Sequence, residues 1–336
     1  TGAVAERWDV PTRGTTGDGA WVVRQAVDVK AVRVEVLGPT PGVLADYQDN
    51  PFHSVHYSAA TPPEGVVGRL VIMDDAAALA ACTPGSLAGQ VVLTRLDIRS
   101  NLRAWSAAAP AAVLTDRPVP GEPDTVRWVK LGFGGIPLVA TGSPVAVVSL
   151  SGAQGQRLRD WVAAGTPVDL QVLVDHRAYN ASHAVITGSL PGSGTTAEQE
   201  VWAVAHFMEP GALDNASGVA VAIEAAAILR TAIAQGLLPP PLRRIRFIHD
   251  YEIFGSVWFA SAPGHGRPVA GLYLDILGSI PSLTPDFFWF DAPPMSPGWL
   301  DELGAEAFRG AMRLTKPGYR FHRCPWANWM PSPLGD

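Results

Sequence analysis

Residues 201–220 read VWAVAHFMEPGALDNASGVA, and this stretch decides the fold. Five apolar, β-type residues lead to His206, a polar turn follows, and a run of small and aliphatic residues begins at its end. Strand, turn and helix in that order open a βαβ unit. The helix is expected from about Ser217 to Leu237, since no proline interrupts it before Pro239-Pro240-Pro241. Residues 245–248 (IRFI) and 270–274 (AGLYL) read as the next strands. Strand, helix, strand, helix, strand predicts parallel neighbours joined by right-handed crossovers.

In open α/β sheets, sites form beyond the carboxyl ends of the strands. That rule selects His206 after the first strand and Asp214 in the turn. It also selects Glu252, with His249 and Asp250, after the second strand, and Asp275 after the third. One imidazole and three carboxylates on one sheet edge suit zinc or a similar divalent ion, and a carboxylate can bridge two ions. Each also has a plainer reading. A histidine after a strand is often a satisfied core residue, Asp214 serves equally as a helix N-cap, and Glu252 could pair locally. Asp275 follows the apolar run VAGLYL, where an unpaired carboxylate is costly.

Upstream the text changes. Short β-type runs punctuated by Gly and Pro lie at 68–73, 89–94, 111–114, 136–139 and 145–150. An earlier strand is expected at 32–37, ahead of the turn-rich Gly38–Gly42. Residues 153–164 have helical spacing, with Gly165 as the stop. Strands are also expected at 169–174 and 184–186. A chain of 336 residues accommodates two domains at roughly 100–200 residues each.

Apolar residues make up 47% and charged residues 17%, which excludes disorder as the general state. A net charge of −6 and no basic run longer than Arg243-Arg244 argue against a nucleic-acid partner. No apolar run reaches the ~20 residues expected of a membrane span. The opening TGAVAERWDVP has no signal-peptide pattern, so a cytoplasmic location and secretion with a cleaved signal both stay open. Cys82 and Cys324 are expected to be isolated thiols. There is no Gly-x-Ser-x-Gly nucleophile elbow and no phosphate-binding glycine loop. Trp289, Trp299, Trp326 and Trp329 either line an apolar pocket or pack structurally.

Residues 201–220 resemble the metal-binding signature of the zinc aminopeptidase family that includes bacterial leucyl aminopeptidases and the transferrin-receptor ectodomain. Residues 246–256 (RFIHDYEIFGS) and 270–278 (AGLYLDILG) are similar to its next two blocks. The resemblance implies a zinc-binding His206, a bridging Asp214, an Asp275 on the second zinc, and Glu252 as base or ligand. Residues 87–95, 111–114 and 135–139 look like a protease-associated domain, and 183–192 like the strand that re-enters the catalytic domain. The implied architecture is α/β, with a mixed, mainly parallel sheet flanked by helices and a smaller β-rich protease-associated domain. Residues 1–60 would be a lead-in or the first part of the catalytic domain, 61–165 the protease-associated domain, and 166–336 the metallopeptidase-like domain, without its C-terminal end.

Three departures stand out. Met208 occupies the place of an aspartate that orients the zinc-binding histidine. A single Glu252, preceded by Tyr251, stands where the family pairs two glutamates. The family's last zinc-binding histidine lies well beyond Asp275, and His322 comes too early to match it. HFMEP at 206–210 and EIFGS at 252–256 resemble a divergent branch of the family. The implied function is a metal-dependent, aminopeptidase-like hydrolase acting on a peptide or small amide through one or two zinc ions. Glu252 or Glu209 would be the proton acceptor. The alternatives are a non-catalytic peptide- or partner-binding member of the fold, and a cyclase or amide-tailoring enzyme.

Overall fold

A computed structural model describes residues 4–12, 25–131, 144–252, 254–277, 286–292, 298–315 and 318–324. The strand expected at 136–139, together with Trp326 and Trp329, lies outside them. The chain divides into two compact units. One takes its described residues from 4–11 and 182–324, the other from 12 and 25–181.

The described chain opens with strand β1 (Val4–Thr12). The second unit then runs through β2 (Ala26–Gly38), β3 (Gly42–Asp46), β4 (Val66–Ile72), α1 (Ala76–Ala80), β5 (Gln90–Thr94), α2 (Leu102–Ala108), β6 (Ala112–Thr115), β7 (Val147–Ser149), α3 (Gly152–Ala163) and β8 (Asp169–Tyr179). Its sheet has the order β3-β2-β8-β4-β5-β6-β7. Pairing is antiparallel from β3 to β4 and parallel from β4 to β7. The parallel strands are apolar on both faces, as covered parallel strands must be. Val91 and Leu93 of β5 join one buried cluster with Leu158 of α3, while Val92 joins another with Trp105 of α2 and Leu79 of α1. A capping box between Ser151 and Gln154 starts α3, and Gly165, at φ +71°, follows its end.

The second unit reaches beyond the bounds 61–165 expected of a protease-associated domain. β2 and β3 before that span and β8 after it belong to the same sheet, which has seven strands among the described residues. The β2–β8 pairing joins residues more than 130 apart, and nothing local in the sequence announces it.

The first unit continues with β9 (Ala181–Leu190), β10 (Gln199–His206), α4 (Ala216–Ala234), β11 (Arg244–Asp250), α5 (Phe254–Ser261) and β12 (Arg267–Tyr273). With β1 these strands form a mixed sheet of order β1-β9-β11-β10-β12. β10 is parallel to both β11 and β12, as the βαβ reading requires, and β9 is antiparallel to β11. The β10–β12 register shifts once: Glu200 pairs with Pro268 but Val201 with Ala270, leaving Val269 over. Later in the same unit come β13 (Asp286–Phe290), α6 (Trp299–Thr315) and β14 (Arg320–Cys324), and β13 and β14 pair as a two-stranded parallel sheet. Trp289 packs there against Gly304 of α6, whereas Trp299 is 64% exposed. Cys82 and Cys324 are both free thiols.

At the start of β10, Glu200 is fully buried and held by Arg246 of β11 through two bonds of 2.9 Å. Arg246 also donates to Glu6 at 2.7 Å and to Thr187 at 3.1 Å, so one guanidinium fastens four strands. α4 covers this sheet, with Ala222 buried alongside Phe247 and Leu190. At 19 residues and mean hydropathy 1.6, α4 is long and apolar enough to cross a membrane. That corrects the expectation of no such run. The apolar text from 216 to 234 has the small, aliphatic composition that a sheet-covering α/β helix also needs.

Candidate metal centre

His206 is the last residue of β10 and is 1% exposed. The parallel register sets it beside Asp250 and sets Ala205 beside His249. Side chains alternate along a strand, so Asp250 shares the face of His206 and His249 points to the other. His249 therefore leaves the group of candidates that the sheet-edge rule collected.

Both imidazole nitrogens of His206 are engaged. Nε2 lies 3.0 Å from Asp214 Oδ1, and Nδ1 lies 3.0 Å from the hydroxyl of Tyr273. Asn215, fully buried, stands behind them. Its Nδ2 donates to the Leu274 carbonyl at 2.9 Å and sits 3.4 Å from His206 Nδ1. Its Oδ1 accepts from the backbone N–H of Gly218 at 3.0 Å and of Ile276 at 3.3 Å. Asn215 is thus the N-cap of α4. Asp214 is not the cap, which frees its carboxylate to turn toward His206. Ser217 adds a second tie, accepting from the Leu277 N–H at 2.9 Å. The start of α4 and the end of β12 are sewn together around the imidazole.

Two groups of three among the described residues bring their ligand atoms within 4.8 Å of one another: His206 with Asp214 and Asp275, and His206 with Glu209 and Glu252. His206, Asp214, Glu209, Glu252 and Asp275 each fall in one of these groups, and His206 is common to both. The donor set of one imidazole and carboxylates fits zinc. Asp275 Oδ1 is buried with no hydrogen-bond partner among the described residues, an arrangement a cation would resolve. Burial lifts the Asp275 carboxyl, and Asp214 adds to the rise against the pull of His206. Burial also pushes Asp250 up to about 6, despite a short hydrogen bond from Ser256. Burial works to lower His206, but the Asp214 bond and the charges of Glu252 and Asp275 outweigh it and raise its pKa. Burial drives the two acids up, and the surrounding carboxylates drive the histidine up.

His322 stands apart from both groups. On β14 it lies 2.7 Å from Asp286 through Nε2. Sequence reasoning missed Tyr273 and Asn215 as parts of the centre. Asn215 had a signal, being the second of two adjacent capping residues. Tyr273 had none, because an aromatic in an apolar strand reads as packing.

Solved structures share this fold. A Peptidase M28 precursor from Shewanella amazonensis SB2B superposes with a TM-score of 0.60 at 15% identity, covering 96% of this chain and 70% of that one. A zinc aminopeptidase from Bacillus subtilis gives 0.57 at 17% identity, over 96% and 70% of the two chains. An aminopeptidase from Aneurinibacillus sp. strain AM-1 gives 0.54 at 17%, over 96% and 71%. At these identities the likeness establishes the fold alone. No protein-family model matches the chain, and no curated protein matches it by sequence.

Proposed function

We propose that this chain is a metal-dependent, aminopeptidase-like hydrolase that removes an N-terminal residue or opens a related amide bond. The observation that carries the reading is the meeting of two donor groups on one buried imidazole, at the carboxyl edge of a parallel strand set. The fold is one that zinc aminopeptidases also adopt. His206, Asp214 and Asp275 are the residues that would hold zinc, with Glu252 beside them. Bound zinc supplies a water of lowered pKa and a polarised carbonyl.

The chain's own residues carry the rest. Glu252 or Glu209 takes the proton of the attacking water on a carboxylate oxygen and returns it to the leaving amine. The carboxylates of Asp214 and Asp275 attract the free amino group of the substrate. We read the second unit as a protease-associated-type domain, on its short parallel strands punctuated by Gly and Pro.

A second reading, a peptide-binding member without turnover, draws on Met208 and on the single Glu252 where the resembling family pairs two glutamates. Elemental analysis of protein purified without chelator, with His206→Ala and Asp214→Ala alongside, tests the first. Near-stoichiometric zinc that falls in both variants, together with cleavage of aminoacyl anilides, is the expected result. No bound zinc after zinc is added back would sink it. Zinc bound with no cleavage across a panel of aminoacyl and glutaminyl substrates selects the binder.

A further inference from the structure

A ligating imidazole offers one nitrogen to the ion, and the other must be held by an acceptor that fixes the ring and its tautomer. Two residues after His206, where the resembling family carries an aspartate, this chain has Met208. A thioether is a weak acceptor.

The structure offers another group. Tyr273 closes β12, pairs with Val204 in the β10–β12 register, and therefore shares the face of His206. Its hydroxyl lies 3.0 Å from Nδ1, while Nε2 is turned toward Asp214. The neighbouring Asn215 Nδ2 cannot accept a proton. Its amide orientation is set by the N–H groups of Gly218 and Ile276 on Oδ1, and Nδ2 already donates to Leu274.

We propose that Tyr273 is the positioning residue for His206: its hydroxyl accepts Nδ1–H and leaves Nε2 as the ligand atom facing Asp214 and Asp275. This rests on the metal-centre reading above. A hydroxyl both donates and accepts, so it serves either tautomer. With Nε2 protonated, O–H donates to the Nδ1 lone pair. With Nε2 given to an ion, Nδ1–H donates to the oxygen. The backbone fixes this role as well as the side chain, because Tyr273 lies two residues before Asp275 on the same strand path and both face the imidazole.

The test compares wild type with Tyr273→Phe in three measurements: zinc affinity by competition with a chromophoric chelator, melting of the metal-free protein, and the ¹⁵N spectrum of the His206 ring. The expected result is an unchanged apo melt, zinc binding weakened about 10- to 100-fold, and loss of the protected Nδ1–H signature seen in zinc-loaded wild type. Tyr273→Gln, which restores a carbonyl acceptor, should regain part of the affinity and keeps the question answerable if the Phe variant does not fold. Equal zinc affinity and an unchanged ring spectrum in Tyr273→Phe would overturn the inference. So would a Gln variant no tighter than the Phe variant. Failure of wild type itself to bind zinc strikes the metal-centre reading instead, so the two failures are distinguishable.

Discussion

Gly218 and Leu274 stand so close that a Cβ on the glycine would lie 2.2 Å from the leucine carbonyl oxygen. Both atoms are backbone-anchored, so neither can swing aside. Gly218→Ala must push the first turn of α4 away from β12, carrying Asp214 away from Asp275. We expect a stability loss of about 1–3 kcal/mol and a larger relative loss of zinc affinity. Urea titration paired with chelator competition measures both, and an unaltered zinc affinity would show that α4 and β12 need not touch for the centre to form.

Asn215 carries four contacts with one amide, so Asn215→Ala removes a cap and strands the Leu274 carbonyl. The cap alone is worth about 1 kcal/mol, and a buried unsatisfied carbonyl adds roughly 1–3 kcal/mol. Asn215→Asp keeps the acceptor and the shape but loses the donor. It should fall between wild type and alanine in chemical denaturation.

Zinc should act as a stabilising ligand through His206. At a hundredfold excess over Kd, binding to the folded state adds about 2.7 kcal/mol. The melting temperature of wild type should rise with zinc and fall back with chelator. In His206→Ala the shift should vanish, since both donor groups include that residue. A variant that keeps the full shift would place the ion elsewhere.

The Glu200–Arg246 pair predicts a pH dependence remote from the centre. Burial pushes the Glu200 carboxyl up, but bonds from Arg246, Trp202 and the Gly266 N–H outweigh that and hold it below its usual value. Its contribution to stability is therefore present above the ordinary carboxylate pKa and is lost as pH falls through the lowered value. Arg246→Met strips the buried Glu200 of its two guanidinium bonds and leaves only Arg244, at 3.8 Å, as a cationic neighbour among the described residues, at a cost of about 3 kcal/mol near neutral pH. In that variant the carboxyl pKa rises, and protonation relieves the cost. The gap to wild type should shrink between about pH 7 and pH 4.5, and a gap that widened on acidification would reverse the assignment.

In the second unit, a Cβ at Gly155 would fall 2.2 Å from the Asp116 side chain. Asp116 is fully buried and takes two bonds of 2.7 Å from Arg159. Gly155→Ala forces that pair apart. A loss of about 2 kcal/mol is expected, read by denaturation, with zinc binding unaffected.

Much of the centre was legible because the chemistry lies where apolar strands run out. His206, Glu252 and Asp275 each end or follow a stretch with no competing interpretation as loop. The long helix was equally plain. What stayed hidden depends on where the chain travels between distant residues. Asp214 and Asn215 are both good capping residues, and only the path of the turn decides that Asn215 caps while Asp214 faces the imidazole. β2 and β8 look like ordinary strands, and their union across the second unit is a tertiary fact. His249 and Asp250 differ by one position, and only the register with β10 sends one toward the site and the other away.

Val269, the residue left over where β12 meets β10, turns out to set a parity. Counting pleats from Arg267 with Val269 paired in the ladder would bring Leu272 opposite Val204 and Leu274 opposite His206, leaving the phenol and the last carboxylate on the wrong side of the sheet. One supernumerary residue converts odd to even, and chemistry at one end of the strand is inherited from a miscount at the other. Deleting Val269 would keep Ala270 opposite Val201 and Tyr273 opposite Val204, whereas drawing Val269 into the ladder would leave every proposed ligand in the sequence and dismantle the centre all the same.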